Sequence, residues 1–488
     1  MLNYLKKESN ITSTENGAVA YRTSGSYCLD LFFGAGGMRN ADEDTIAAYV
    51  LRAYAEDPGA AMKIIFFARD VRGGLGERRF FRTAVKTLAE NHPDAVVRNI
   101  ANFAEYGRYD DLCALIDTPC ENAAFAEIKA RLDEDISAYN CGGKVSLLAK
   151  WLPSVNASSD RTRYSGKRLA KYLGMSDKDY RVTLAQLRKY TDIIENRLRE
   201  GDYTFDYAKQ PSCAMMKYRK AFIRNDGERY KKYIAKVIKG EEKMNASVLY
   251  PYEIVRNCIF GTRSAAERAS LDAAWKSLPD YTNGAANGNA IAVIDGSGSM
   301  TCGAPVRPID AALSLGIYFA EHNKGAFANH FITFSRTPRL VEIKGRDITE
   351  KVRFCGTFNE VADTNLEAVF ELILLTAVKN RVKQSEMPNR IYIISDMEFN
   401  ACVIGGNSMT IFSAMKKRYA RYGYRLPDVI FWNVNSRHSN LPVTMSETGA
   451  ALVSGFSPAI FDMIMSGGIS PEKVMNRIIY SERYAKVS

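Results

Sequence analysis

The apolar run Ala290-Ile291-Ala292-Val293-Ile294 stops on Asp295-Gly296-Ser297-Gly298-Ser299, and that junction restricts the fold more than any other stretch. A short run without polar alternation reads as a strand buried on both faces. Ending it on Asp-x-Ser-x-Ser sets one carboxylate and two hydroxyls on a single tight loop. These are hard oxygen donors, suited to Mg²⁺ and poorly suited to zinc or copper. Two later segments supply the same chemistry. Asp363-Thr364-Asn365-Leu366-Glu367 opens an amphipathic segment, and Ile391-Tyr392-Ile393-Ile394-Ser395-Asp396 is a second apolar run closed by a carboxylate.

Around this junction strand-like and helical runs alternate, over 290–295, 309–322, 328–334, 364–380, 390–396, 410–421, 428–434, 450–454 and 457–466. The alternation predicts a doubly wound, mostly parallel α/β domain over residues 289–488. In such sheets ligands sit beyond the carboxyl ends of the strands, which is where Asp295 and Asp396 fall. Upstream the texture differs. From about 42 to 278 apolar residues recur every three or four positions, with short Gly, Pro or Asn turns between segments. This predicts an all-α domain over residues 1–280, built of stacked, HEAT-like helical pairs. A strand or two is expected around Ser26-Tyr27-Cys28-Leu29-Asp30-Leu31-Phe32-Phe33, and residues 281–288 read as the linker. A chain of 488 residues is in any case too long for one ordinary core.

The net charge of +11 is placed unevenly. Residues 144–239 hold 23 Lys and Arg against 10 Asp and Glu, so the rest of the chain is slightly acidic. A positive block of this kind reads as a working surface for a polyanion. Its candidate phosphate contacts are Lys150, Arg161, Arg163, Lys167, Arg168, Lys171, Arg181, Arg188, Lys217, Lys220 and Lys232. Interleaved rings such as Trp151, Tyr164, Tyr172, Tyr180, Tyr190, Tyr207 and Tyr230 offer stacking for unpaired bases. The alternative is that the rings fill helix interfaces while the lysines solvate outer faces. Arg69-Asp70-Val71-Arg72-Gly73-Gly74-Leu75-Gly76-Glu77-Arg78 is a second candidate, a Gly-rich turn flanked by Arg72 and Arg78. An inter-helix turn explains its glycines equally well.

Other classes are set aside by composition. No apolar run approaches membrane-spanning length, and the start lacks a signal-peptide core, so a cytoplasmic protein is expected. Nine scattered cysteines without a Cys-x-x-Cys pair read as reduced, packed thiols. Four dispersed histidines argue against a histidine-based metalloenzyme. No Walker phosphate loop occurs.

The Asp-x-Ser-x-Ser loop, the Thr364 segment and the Asp396 strand end resemble the metal-ion-dependent adhesion site of von Willebrand factor A domains. That resemblance makes Ser297, Ser299 and Thr364 candidate metal ligands, with Asp295 and Asp396 as charge partners, for Mg²⁺ or another hard divalent cation such as Mn²⁺. It also leaves one coordination position for a carboxylate or phosphate oxygen of a partner. Without metal, Thr364 and Glu367 read equally as a helix capping box.

A basic helical module followed by such a domain resembles the Ro autoantigen family, the TROVE-module RNA-binding proteins. It resembles more closely a family of bacterial, phage and plant proteins with the same order of modules. The closer match runs through Ala68–Arg78, Ala149-Lys150-Trp151-Leu152-Pro153-Ser154, Tyr180–Arg188, Ser395-Asp396-Met397-Glu398-Phe399 and Leu452–Ser457. The resemblance implies paired helices closed into a ring by the A domain, and a non-catalytic ribonucleoprotein scaffold. Its partners would be small non-coding RNA or single-stranded RNA ends. The rival expectation is a protein-interaction module gripping an acidic residue through the metal. A metal-dependent hydrolase ranks last, with Glu398 and Asp363 its only nearby base candidates.

Overall fold

The computed structural model describes residues 1, 5, 9–259, 264–282, 289–303, 306–359, 364–401, 409–438, 440–464 and 469–488. Asp363 and residues 283–288 of the expected linker lie outside the described residues. From Tyr27 to Lys276 the described chain is helical apart from its connections. The helices start where the sequence supplies caps. Asp42 and Asp57 accept from the amides of Thr45 and Ala60, and Ser264 forms a capping box with Glu267. The helices Glu43–Glu56, Pro58–Arg69 and Arg78–Asn91 pack on one another, and Gly227–Lys239 packs on Ala265–Lys276. Their contact faces carry the apolar stripe, as with Ile46, Val50 and Ala53 on the first.

A buried ion network ties this layer together. Arg69 Nε donates to Asp111 Oδ2 at 2.7 Å, and Arg82 Nε to Oδ1 at 2.7 Å; Arg69 and Asp111 are both buried. Removing one partner strands a buried charge, which typically costs about 3–5 kcal/mol. Asp111→Ala is therefore expected to lower unfolding free energy by that order, read as a shifted denaturant midpoint at constant slope.

The C-terminal part forms a six-stranded mixed sheet. With β1 (Ile11–Ser13) and β2 (Val19–Tyr21) as a separate hairpin, its strands are β3 (Ala290–Asp295), β4 (His330–Phe334), β5 (Leu340–Glu342), β6 (Arg390–Ser395), β7 (Asp428–Asn433) and β8 (Ala450–Ser454). Their order is β5-β4-β3-β6-β7-β8, parallel except at the β4–β5 edge. Connections leave β3 and β6 toward opposite edges, so the topological switch point lies between the carboxyl ends of these two strands. The helix Pro308–His322 packs on β3, β4 and β6. At Gly316 a Cβ would lie 2.3 Å from Ile294 Cδ1, so only glycine admits the close approach to β3.

The strand expected around Ser26–Phe33 is a helix, Tyr27–Ala35, capped by Ser26 accepting from Leu29 N. Its apolar residues run nearly all round because both sides are buried. The helix packs against β8, and the backbone of Gly36 meets that of Gly455. The preceding hairpin is also on the sheet side. Tyr21 exchanges main-chain hydrogen bonds with Leu441, at 2.8 and 3.0 Å. The chain's other end crosses back. Arg483 grips Asp70 with two bonds of 2.7 and 2.8 Å, and Lys63 Nζ donates to the carbonyls of Tyr484 and Val487.

Candidate metal centre and basic cavity

At the switch point β3 ends on Asp295 and β6 runs into Asp396. Asp295 is fully buried; Oδ1 accepts from Ser297 N at 2.9 Å and Oδ2 from Ser395 Oγ at 2.5 Å. The Ser297 and Ser299 hydroxyls lie 3.1 Å apart. That is close to the edge of an oxygen octahedron around Mg²⁺, about 2.9 Å for bonds of 2.0–2.1 Å. Ser299 also hydrogen-bonds the Asp396 carboxylate. Burial, and then the charge of Asp396, push the Asp295 carboxyl up to about 7. Burial raises Asp396 as well, against the opposing pull of Ser299 and Arg437. Met397, next in the chain, has φ 69°, a left-handed backbone that non-glycine residues rarely adopt.

This donor set fits a hard divalent cation. Asp396 Oδ2 is buried without a hydrogen-bond partner, and the only cation beside it is Arg437 Nη2 at 3.5 Å among the described residues. Two repelling carboxylates and two converging hydroxyls would all be better satisfied by a cation between them. Thr364 hydrogen-bonds to the loop that follows Asp396. Its Oγ1 donates toward Glu398 O and Asn400 Oδ1, each at 2.8 Å, and accepts from Asn16 Nδ2 at 3.1 Å. The helix after it is capped by Asn365, whose Oδ1 accepts from Ala368 N, so Thr364 and Glu367 form no capping box.

Sequence reasoning missed the residues around Glu398. Its buried carboxylate accepts from Glu15 N at 2.7 Å and from Asn440 Nδ2 at 3.0 and 3.2 Å, and faces His438 Nδ1 at 3.1 Å. Glu15 lies 383 residues from Glu398 in sequence, and His438 and Asn440 lie 40 and 42 residues from it, so no local pattern announces them.

The basic residues divide into two groups. Arg78, Lys150, Arg161 and Arg188 line one open cavity of about 980 Å³, together with Arg79, Arg82, Lys86 and Trp151. Arg78, Lys86 and Arg161 form no ion pair among the described residues. Burial and then the neighbouring Arg108 and Arg82 guanidiniums hold Arg78 below its usual range, outweighing the opposing pull of the Asp110 and Asp111 carboxylates. The other cations on the wall have internal work. Lys150 pairs with Glu195, and Arg188 donates to the carbonyls of Ala149 and Leu152.

Outside the cavity Arg163, Lys167, Arg168 and Lys220 pair with Asp160, Asp177, Glu121 and Glu267. Lys217 lies over the Tyr218 ring, and Lys171, Arg181 and Lys232 are exposed. Arg72 donates to Glu105 O. The Gly-rich turn is structural. The amides of Val71, Arg72, Leu75, Gly76 and Glu77 all have internal acceptors, so these N–H groups of the turn are engaged within the protein. Many of the rings are core as well: Phe205, Tyr207, Phe222, Tyr230 and Tyr233 form one buried aromatic cluster.

The eight described cysteines are free thiols, and no described helix is long and apolar enough to cross a membrane. Residues 14–124 and 122–281 match the family model described as domain of unknown function DUF2828. Residues 289–485 match a second model, domain of unknown function DUF7788. The chain is similar to Uncharacterized protein L728 of Acanthamoeba polyphaga mimivirus, 29% identical over 94% of this chain and 85% of that protein. The crystal structure of the Deinococcus radiodurans RO (RSR) protein aligns over 92% of this chain and 93% of its own, at 12% identity and a TM-score of 0.32.

Proposed function

The chain belongs to the family described as domain of unknown function DUF2828, and from that premise we propose that it is a non-catalytic RNA-binding scaffold of Ro-like type. One observation carries this reading: the 980 Å³ cavity lined by seven cations against the three carboxylates of Glu43, Asp110 and Glu195, with Trp151 among them and with Arg78, Lys86 and Arg161 in no ion pair among the described residues. Cations without protein partners favour a bound polyanion, and a groove that is both positive and ring-bearing suits single strands. In this reading the HEAT-like helices hold RNA, while Asp295, Ser297, Ser299 and Asp396 hold Mg²⁺ or Mn²⁺ for docking a partner's acidic or phosphate oxygen. The protein acts in the cytoplasm.

Binding of a single-stranded RNA oligomer across a salt series tests the proposal. Neutralising Z phosphates gives a log–log slope near −0.7Z for single strands. A slope of about −2 or steeper is expected, reflecting at least three phosphates at the unpaired cations. A flat response, or no binding near 100 mM salt, would exclude it.

A further inference from the structure

The tip of the β1–β2 hairpin reaches the loop that carries Asp396. Thr14 Oγ1 donates to Phe399 O at 2.6 Å, Asn16 Nδ2 to Glu398 O at 2.7 Å, and Glu15 N to Glu398 Oε2 at 2.7 Å. His438 comes in from the segment after β7. Its Nδ1 is 3.1 Å from Glu398 Oε1, and its Nε2 is 3.6 Å from Glu15 Oε1. One donor atom from each of Glu15, Glu398 and His438 thus lies within 4.8 Å of the other two.

We propose that Glu15, Glu398 and His438 form a second divalent-cation site, of the Zn²⁺ type, distinct from the oxygen-only centre at Ser297 and Ser299. The ligand chemistry separates the two. An imidazole with two carboxylates suits zinc, whereas Mg²⁺ prefers oxygen ligands alone. The 3.1 Å between His438 Nδ1 and Glu398 Oε1 is close to the separation of about 3.3 Å between tetrahedral ligands 2.0–2.1 Å from zinc, while Glu15, which faces the other ring nitrogen at 3.6 Å, would turn toward Nδ1 to complete the set. Glu398 has the supporting shell that ligating carboxylates need, since Asn440 and the Glu15 amide fix its orientation.

Local charge points the same way. Arg437 Nη2 is shared, 2.6 Å from Glu15 Oε2 and 3.5 Å from Asp396 Oδ2. Asp396, only 2% exposed, still has an oxygen without a hydrogen bond. One guanidinium is therefore shared between two carboxylates, with the Glu398 carboxylate beside them. A cation held by Glu15, Glu398 and His438 would staple the hairpin onto the Asp396 loop. With three protein ligands and two half-exposed side chains, it keeps an outward position for water or a ligand.

The inference stands apart from RNA binding and from the Mg²⁺ reading, and cobalt tests it alone. Full-length protein is stripped with chelator and titrated with Co²⁺ in excess Mg²⁺. Tight uptake with visible absorption of tetrahedral type is expected. His438→Ala should weaken it by more than about tenfold, the lower end of what altered metal shells produce. Glu15→Gln, at a half-exposed side chain, should weaken it likewise, with the variant's unfolding midpoint measured alongside. The Ser297→Ala/Ser299→Ala double variant should leave the band unchanged. Absence of the band, its persistence in both single variants, or its loss in the serine variant would each overturn the assignment.

Discussion

Replacing Arg78, Lys86 and Arg161 together with alanine is expected to weaken single-stranded RNA binding by about 100-fold at 0.1 M salt. Each lost phosphate contact removes about 0.7 from the log–log salt slope, so three remove about 2, which at 0.1 M corresponds to two decades in affinity. These three line the cavity without ion pairs among the described residues. Removing them strands no buried carboxylate, and stability should move by only about 0.5 kcal/mol or less. Arg82 and Arg188 would be poor choices, because Arg82 pairs with Asp111 and Arg188 with main-chain carbonyls. Their loss would confound binding with folding. Fluorescence anisotropy with one RNA oligomer at several salt concentrations reads both quantities. Unchanged affinity and slope in a folded triple variant would remove the cavity from any role with polyanions.

The second large effect is a pH dependence at Asp295. Burial and the Asp396 charge raise its folded-state value from 3.8 to about 7. Below about pH 4 the group is protonated in both folded and unfolded chains and costs nothing. Between about 4 and 7 the unfolded chain ionises while the fold retains the proton. Stability then falls by about 1.4 kcal/mol per pH unit, up to about 4 kcal/mol in total. Asp295→Asn removes this titration at the price of a constant offset, because Ser395 Oγ donates to Oδ2 in the wild type. The stability of the variant relative to wild type should therefore rise across that window in metal-free buffer. Excess Mg²⁺ should stabilise the wild type more at pH 7.5 than at pH 5 and leave Asp295→Asn nearly unaffected. Denaturant midpoints at four pH values, with and without Mg²⁺, decide it; parallel curves for the two proteins would contradict the buried-pair picture.

How legible these features were in the sequence follows from their physics. Strands β3, β6 and β7 are buried on both faces, so their unbroken apolar runs stood out. Helix Tyr27–Ala35 is also buried nearly all round, and without a polar face its period is invisible. Strand β5 escaped notice because it is three residues long at the sheet edge. The two serines and two carboxylates could be named because the switch point brings together strand ends that each carry a readable motif. Glu15 and Asn16 could not, since the hairpin docks on a loop 382–383 residues away, nor could His438 and Asn440, which reach Glu398 from the segment after β7, 40 and 42 residues on. Composition located the positive block. It could not tell cations engaged with Asp160, Asp177 or Glu121 from those facing the cavity, nor core rings such as Tyr230 from exposed ones such as Tyr164.

The crossing of the two chain ends bears on biosynthesis. The hairpin and the helix Tyr27–Ala35 leave the ribosome well before Asn400, Leu441 and Gly455 exist to receive them. Asp70 likewise waits buried-to-be until Arg483 and Tyr484 are translated. The surfaces that these late residues cover stay open until that stretch of chain has been made. Contacts made by residues 10–36 on the sheet and by residues 483–487 on the helices therefore join the two halves only after both have been made.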